Sequence, residues 1–315
     1  MNNKNISIAL LAGASFFWGS ALVAQRLGLS HLEPFSFNAV RFFFGSLSVL
    51  PLLPLQRLLL GTSTPVAAFM AQASGRRLAF WGALLCGGSL FAAISLQQIG
   101  IAYTSVGKAG FLTSLYIIIV PLLGFLIRKA APNSPLNRIG GGRVGLHIWL
   151  CCALAIFGMY LLCMTEALSL NPGDVLMIFC ALAMAFQLLF VAYYAPLFNP
   201  LKLTFLQFLT CAIFSAICAL LWENPDLYAV RAAWLPLFYT AVISGSVAYS
   251  MQIFGQRAIA PMLAALIFSL ESVFAALAGW LVLGETLTVR EISGCLLIFI
   301  AIVLAQVLDM LRLKK

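Results

Sequence analysis

Gln97-Gln98-Ile99-Gly100, Lys108-Ala109-Gly110, Ser114-Leu115-Tyr116 and Gly124 mark a stretch that occurs twice in this chain. A shift of 155 positions lands on Gln252-Ile253-Phe254-Gly255, Ala264, Ser269-Leu270-Glu271 and Gly279. The glutamine, both glycines, the alanine and the Ser-Leu pair recur in register. A second set, Pro34 with Arg41-Phe42, returns as Pro200 with Gln207-Phe208 at a shift of 166, so the halves differ by a loop-sized deletion. Recurrence in the same order points to an internal duplication.

The surroundings of the repeat are apolar. Hydrophobic residues make up 63% of the 315 and charged residues only 9%, with a mean hydropathy of +1.05. A soluble domain carries about 25% charged residues, so this chain reads as an integral membrane protein. The excess of Lys and Arg, 18 against 9 acids, is scattered between apolar runs and forms no patch, which excludes nucleic acid as a partner. The eight cysteines lie mostly within apolar runs, without a C-x-x-C, and His31 and His147 are the only histidines. No metal-ligand spacing results, and neither a metal nor a cofactor is expected.

About ten apolar runs are long enough to cross a bilayer at about 1.5 Å per residue. Ile6 to Ala24 is the first, read as a retained helix rather than a signal peptide because no small-x-small cleavage site follows. Pro34 starts the second, Leu78–Ile99 the third, Ser105–Ile127 the fourth and Val144–Met164 the fifth. Between the fourth and fifth, residues 128–143 form a Pro- and Gly-rich loop. Val175–Ala195, Leu203–Leu221, Trp234–Phe254, Met262–Leu283 and Ile292–Leu308 complete the set. Unbroken apolarity of this length means helices, not alternating barrel strands. The expected architecture is all-α, with about ten transmembrane helices in two five-helix repeats, 1–164 and 165–315.

Charge sets the orientation. With the N-terminus inside, the inner segments carry Lys4, Arg57, Arg76, Arg77, Arg128, Lys129, Arg138, Arg143, Lys202, Arg257, Arg312, Lys314 and Lys315. The outer loops carry Arg26, Arg231 and Arg290. Both termini are therefore expected in the cytoplasm. Five helices per half then invert the second half relative to the first, an arrangement suited to alternating access around a midplane site. A secondary transporter is the leading expectation. No G-x-x-x-x-G-K-[S/T] loop supports a nucleotide-driven pump, and no catalytic constellation supports a membrane enzyme. A binding or sensory protein without transport is the remaining rival.

Particular residues add a resemblance. Phe17-Trp18-Gly19-Ser20, Pro34-x-x-x-Asn38-x-x-Arg41-Phe42, Lys108-Ala109-Gly110-Phe111-Leu112-Thr113 with Leu115-Tyr116 and Pro121, and Ser269–Ala276 running on to Leu283-Gly284-Glu285-Thr286-Leu287-Thr288 resemble the EamA-type branch of the drug/metabolite transporter superfamily. The similarity covers essentially the whole chain. It departs at Ser272, where that family usually has proline, and in the first half, which lacks a counterpart of the Gly284-Glu285 turn. The resemblance implies ten helices, a central cavity and export of small metabolites such as amino acids from a bacterial inner membrane.

Intramembrane polar residues are the site candidates, because each is costly in lipid unless it is used. Glu271, about nine residues into the ninth span, suits proton coupling or contact with a substrate amine, or else bonds across helices as a structural group. Tyr116 is its repeat mate. Lys108 could receive an anionic group, giving uptake or exchange of organic anions as the alternative function, or it snorkels to the interface. Arg41 could pair with an acid or with helix-end carbonyls. Gln97 and Gln252, with Gln187 and Gln207, either line a cavity or hydrogen-bond between helices. Trp18 and Tyr249 are candidate cavity walls. Ala275 and Gly279, four apart, read as a close helix contact.

Overall fold

The computed structural model describes residues 3–54, 73–104, 106–130, 145–163, 171–283 and 287–313. Residues 131–143 of the expected loop, the Gly284-Glu285 turn, Arg57 and the side chains of Arg76 and Lys108 lie outside what is described. The described chain is helical: α1 (Asn3–Leu29), α2 (Pro34–Val49), α3 (Ala73–Ile101), α4 (Val106–Thr113), α5 (Tyr116–Ala130), α6 (Leu146–Cys163) and α7 (Pro172–Tyr194). Then come α8 (Pro200–Trp222), α9 (Leu227–Ala232), α10 (Trp234–Phe238), a π-helical segment Tyr239–Val247, α11 (Ala248–Gln256), α12 (Pro261–Phe268), α13 (Leu270–Leu283) and α14 (Val289–Leu313).

Among the described residues nine helical stretches are long and apolar enough to span a membrane. The 25-residue α14 stands at the place of the tenth. The fourth, eighth and ninth spans are composite. They consist of α4 with α5, of α10 with the π segment and α11, and of α12 with α13.

Local chemistry fixes several helix starts. Proline, whose missing N–H is no loss in the first turn, opens α2, α7, α8 and α12. Asn171 caps α7 by accepting from the Asp174 N–H at 2.9 Å, while the Asp174 carboxylate accepts from the Asn171 N–H at 2.9 Å. That reciprocal pair satisfies two donors that the helix ladder leaves over. For α2 the acceptor comes from elsewhere: Glu223, at the end of α8, takes the N–H groups of Phe35 and Ser36 at 2.7 and 2.6 Å.

Packing follows the duplication. The second span lies along the seventh and the fifth along the tenth. The third lies on the sixth and the eighth on the first; the first lies on the ninth and the sixth on the fourth. Adding or subtracting five leaves the second–seventh and fifth–tenth pairings as they are, and exchanges third–sixth with first–eighth and first–ninth with fourth–sixth. The duplicated Gly100 and Gly255 occupy matching crossings. A Cβ on Gly100 would sit 3.3 Å from the Gly173 carbonyl oxygen, and one on Gly255 would sit 3.0 Å from that of Ser7. The glycine of the repeated motif therefore lets a neighbouring backbone approach, while the glutamine three residues earlier points inward.

The core lies on the eighth and ninth spans, 61% of whose apolar windows are buried against 39–44% for the others. Every residue of α12 is buried, as expected of a helix that is apolar on all sides and enclosed by neighbours. Several polar residues carried by these enclosed helices, Ser244, Tyr249, Gln252 and Glu271, line one cavity.

Two sequence expectations need correction. The fourth and ninth spans are not continuous helices: each breaks at its copy of the Ser-Leu motif, at Ser114-Leu115 and at Ser269. The Ser114 hydroxyl bonds back to the Gly110 carbonyl at 2.8 Å, and that of Ser269 to the Leu266 carbonyl at 2.6 Å. Short-range bonds of this kind compete with the helix ladder. The eighth span is not uniform α-helix either, since nine of its residues are π-helical.

Candidate functional site

A cavity lies among the central helices. Glu271 stands on its wall in the first turn of α13, the end at which a helix dipole favours a carboxylate. Tyr116 stands at the matching place, the first residue of α5. The two breaks thus aim the two repeat mates at the same space. Across the breaks, the Ser114 and Ser272 hydroxyls lie 3.3 Å apart, so the residue that replaces the usual proline links the fourth and ninth spans.

Arg41 of α2 lines the same cavity and is only 2% exposed. Its Nε donates to the Thr240 carbonyl of the π segment at 3.2 Å, and its Nη1 has no hydrogen-bond partner. A buried guanidinium donor without a partner is costly, and the buried carbonyl bond to Nε leaves Nη1 available to an anionic group. The guanidinium also lies 5.0 Å from the centre of the Phe42 ring. The carbonyl that Arg41 bonds lies within the eighth span, not at a helix end.

Aromatic rings form the apolar wall. Trp18 packs on Tyr249 and Phe268 at ring-centre separations of 4.9 and 5.0 Å. Its indole N–H donates to the Ser244 carbonyl at 3.1 Å, which fixes the plane of the ring.

A chain of amides closes the other side. Gln252 of α11 donates to Gln187 of α7 at 3.2 Å, and Gln187 donates to Gln207 of α8 at 3.4 Å. The chain ends on an acceptor, Gln252 Oε1, and a donor, Gln207 Nε2, neither with a partner. Gln97, the repeat mate of Gln252, also lines the cavity.

Eight sequence candidates therefore meet in one place: Trp18, Arg41, Gln97, Tyr116, Gln187, Tyr249, Gln252 and Glu271. Lys108 belongs to α4, and its side chain is outside the described residues. Sequence reasoning overlooked Gln25, Thr113 and Ser244, which also line the space. Gln25 carried little signal, because it stands just past the end of the first apolar run, Ile6 to Ala24. Ser244 carried none, because it serves through its backbone. Chemically the cavity offers one cation, one carboxylate, an aromatic face and several amides, an assortment suited to a small molecule with charged ends and an apolar body.

Comparison with known proteins agrees with this architecture. The model of the EamA-like transporter family matches twice, over residues 5–136 and 171–306. A protein described as an uncharacterized transporter of Archaeoglobus fulgidus is 29% identical over 296 residues, covering 94% of this chain and 84% of that protein. A protein of known crystal structure superposes with a TM-score of 0.74 over 98% of this chain and 99% of its own, at 17% identity, a likeness of fold.

Proposed function

Starting from the fact that this chain belongs to the EamA-like transporter family, we propose that it is a secondary transporter exporting amino acids or closely related metabolites by alternating access. The observation that carries the substrate class is the cavity's pair of charges. Arg41 gives its Nε to a backbone carbonyl and keeps Nη1 unpartnered, while Glu271 stands on the same cavity's wall. In this reading a substrate carboxylate meets Arg41 and its ammonium group meets Glu271. The side chain rests on Trp18, Tyr249 and Phe268.

The halves 1–164 and 165–315 act as inverted five-helix repeats. Support comes from the double match of the family model and from the exchange of packing partners under a shift of five helices. Glu271 carries the coupling proton when no ammonium neutralises it. The protein lies in the plasma membrane, the inner membrane of a bacterium, with both termini in the cytoplasm, and it is not an enzyme.

Reconstituted protein tests this reading. Liposomes are loaded with L-amino acids, their amides, organic acids or cationic drugs, with and without a pH gradient. Amino acids should saturate transport, and Glu271→Gln should abolish the response to the gradient. Arg41→Gln should cut acceptance of acids relative to amides. Movement of organic acids without amines would favour anion exchange instead. A Glu271→Gln variant with the wild-type pH profile would remove the coupling role.

A further inference from the structure

The two halves share their motifs but differ at one point of the eighth span. Tyr239–Val247 is π-helical. The corresponding part of the third span, 155 positions earlier, lies within the continuous α-helix α3. A π-helix bonds each N–H to the carbonyl five residues back and recurs at functional sites. Here its carbonyls have a second use. Thr240 accepts from Arg41 Nε at 3.2 Å and Ser244 accepts from Trp18 Nε1 at 3.1 Å. Tyr239, at its start, shares a 2.6 Å hydrogen bond with Ser20 on the helix that carries Trp18.

Gly245 permits this geometry. A Cβ there would lie 2.8 Å from the Thr240 carbonyl oxygen, the atom that holds Arg41. Backbone cannot yield as a flexible side chain does, so any larger residue must open the turn or rotate that carbonyl. The equivalent position in the first half is Leu90, fully buried in ordinary α-helix. One half has a side chain where the other has none, and only the half without it has the π turn.

We propose that Gly245 and the π turn around it are a positioning element of the cavity: they aim the Thr240 and Ser244 carbonyls so that Arg41 is held with one guanidinium arm free for an anionic group and Trp18 is held as the adjoining wall. Gly245 touches no substrate; it acts through the Thr240 carbonyl on Arg41. The inference rests on the reading of Arg41 as the carboxylate site, but its structural half can be measured without any substrate.

The experiment uses the full chain, labelled with 15N at arginine and tryptophan, in detergent or nanodiscs. The Arg41 Nε–H and Trp18 indole signals are assigned by their loss in Arg41→Gln and Trp18→Phe. Gly245→Ala should shift both signals and speed their exchange with water about tenfold, as expected when a buried hydrogen bond is broken. Gly88→Ala, whose Cβ would meet nothing nearer than 3.7 Å, should leave both unchanged. Deletion of Val242, which removes a residue so that the segment can close as plain α-helix, should act as Gly245→Ala does.

In proteoliposomes both perturbing variants should lower the preference for L-amino acids over their amides about tenfold, towards the level of Arg41→Gln. Wild-type signals in a folded Gly245→Ala or Val242-deleted protein would overturn the proposal. So would Gly88→Ala reproducing the effect. Absence of any acid-over-amide preference in the wild type refutes the substrate reading instead, while the signals alone still decide the positioning role.

Discussion

Removal of the Glu223 carboxylate should unfasten the second span from the seventh. Glu223 accepts from Phe35 N–H at 2.7 Å, from Ser36 N–H at 2.6 Å and from the Ser36 hydroxyl at 2.7 Å. It thus caps α2 from the end of α8, a contact between residues 187 and 188 positions apart. The residue that precedes α2, Glu33, makes no side-chain cap of its own. Loss of a capping acceptor costs about 1 kcal/mol. A carboxylate at the positive end of a helix adds about 0.3–1 kcal/mol. Glu223→Ala should therefore destabilise the fold by about 2 kcal/mol, on the order of 30-fold in the folding equilibrium. Glu223→Gln keeps an acceptor without the charge and should cost about half as much. Glu33→Ala removes only one exposed bond, from the Asn224 N–H at 3.3 Å, and should cost under about 0.5 kcal/mol. Unfolding of the purified protein in mixed micelles by rising denaturing detergent measures all three. If Glu223→Ala stays within about 0.5 kcal/mol of wild type, or if Glu33→Ala costs as much, the capping account is wrong.

Two further perturbations address the packing of the halves and the cavity. Gly158→Val should cost about 1–3 kcal/mol by overpacking, because its Cβ would lie 2.8 Å from the Gly294 carbonyl oxygen where α6 crosses α14. Gly110→Ala, with nothing within 4 Å of its Cβ, should be tolerated in the same unfolding assay, and equal costs would refute the crossing argument. For the amide chain, a double-mutant cycle of Gln187→Leu and Gln252→Leu should return a coupling of about 0.6 kcal/mol, the average for hydrogen bonds between membrane helices. Zero coupling would mean that the 3.2 Å contact contributes nothing.

Much of the candidate site was legible before folding, for a physical reason. Lipid offers no hydrogen bonds, so a glutamate, an arginine or a glutamine in an apolar span must face protein or a cavity. That alone singled out Arg41, Gln97, Gln252 and Glu271. Their meeting was not legible, because it depends on which helices become neighbours. Gln187 and Gln252 are hydrogen-bonded across 65 positions and Arg41 and Thr240 across 199. The helix breaks were half visible. The duplicated Ser-Leu pair marks them, but serine within an apolar run does not by itself announce whether its hydroxyl will bond back to the preceding turn.

By itself the sequence determined the membrane class and the approximate helical spans, because runs of about twenty apolar residues have only one way to satisfy their backbone in a bilayer. Tertiary structure alone decided where the helices cross, which carbonyls hold Arg41 and Trp18, and that the eighth span carries a π turn. Those outcomes hang on atoms that are distant in the chain. The missing Cβ of Gly245 matters only because Arg41 uses the carbonyl beneath it, and Glu223 caps a helix only because α8 lies along α2.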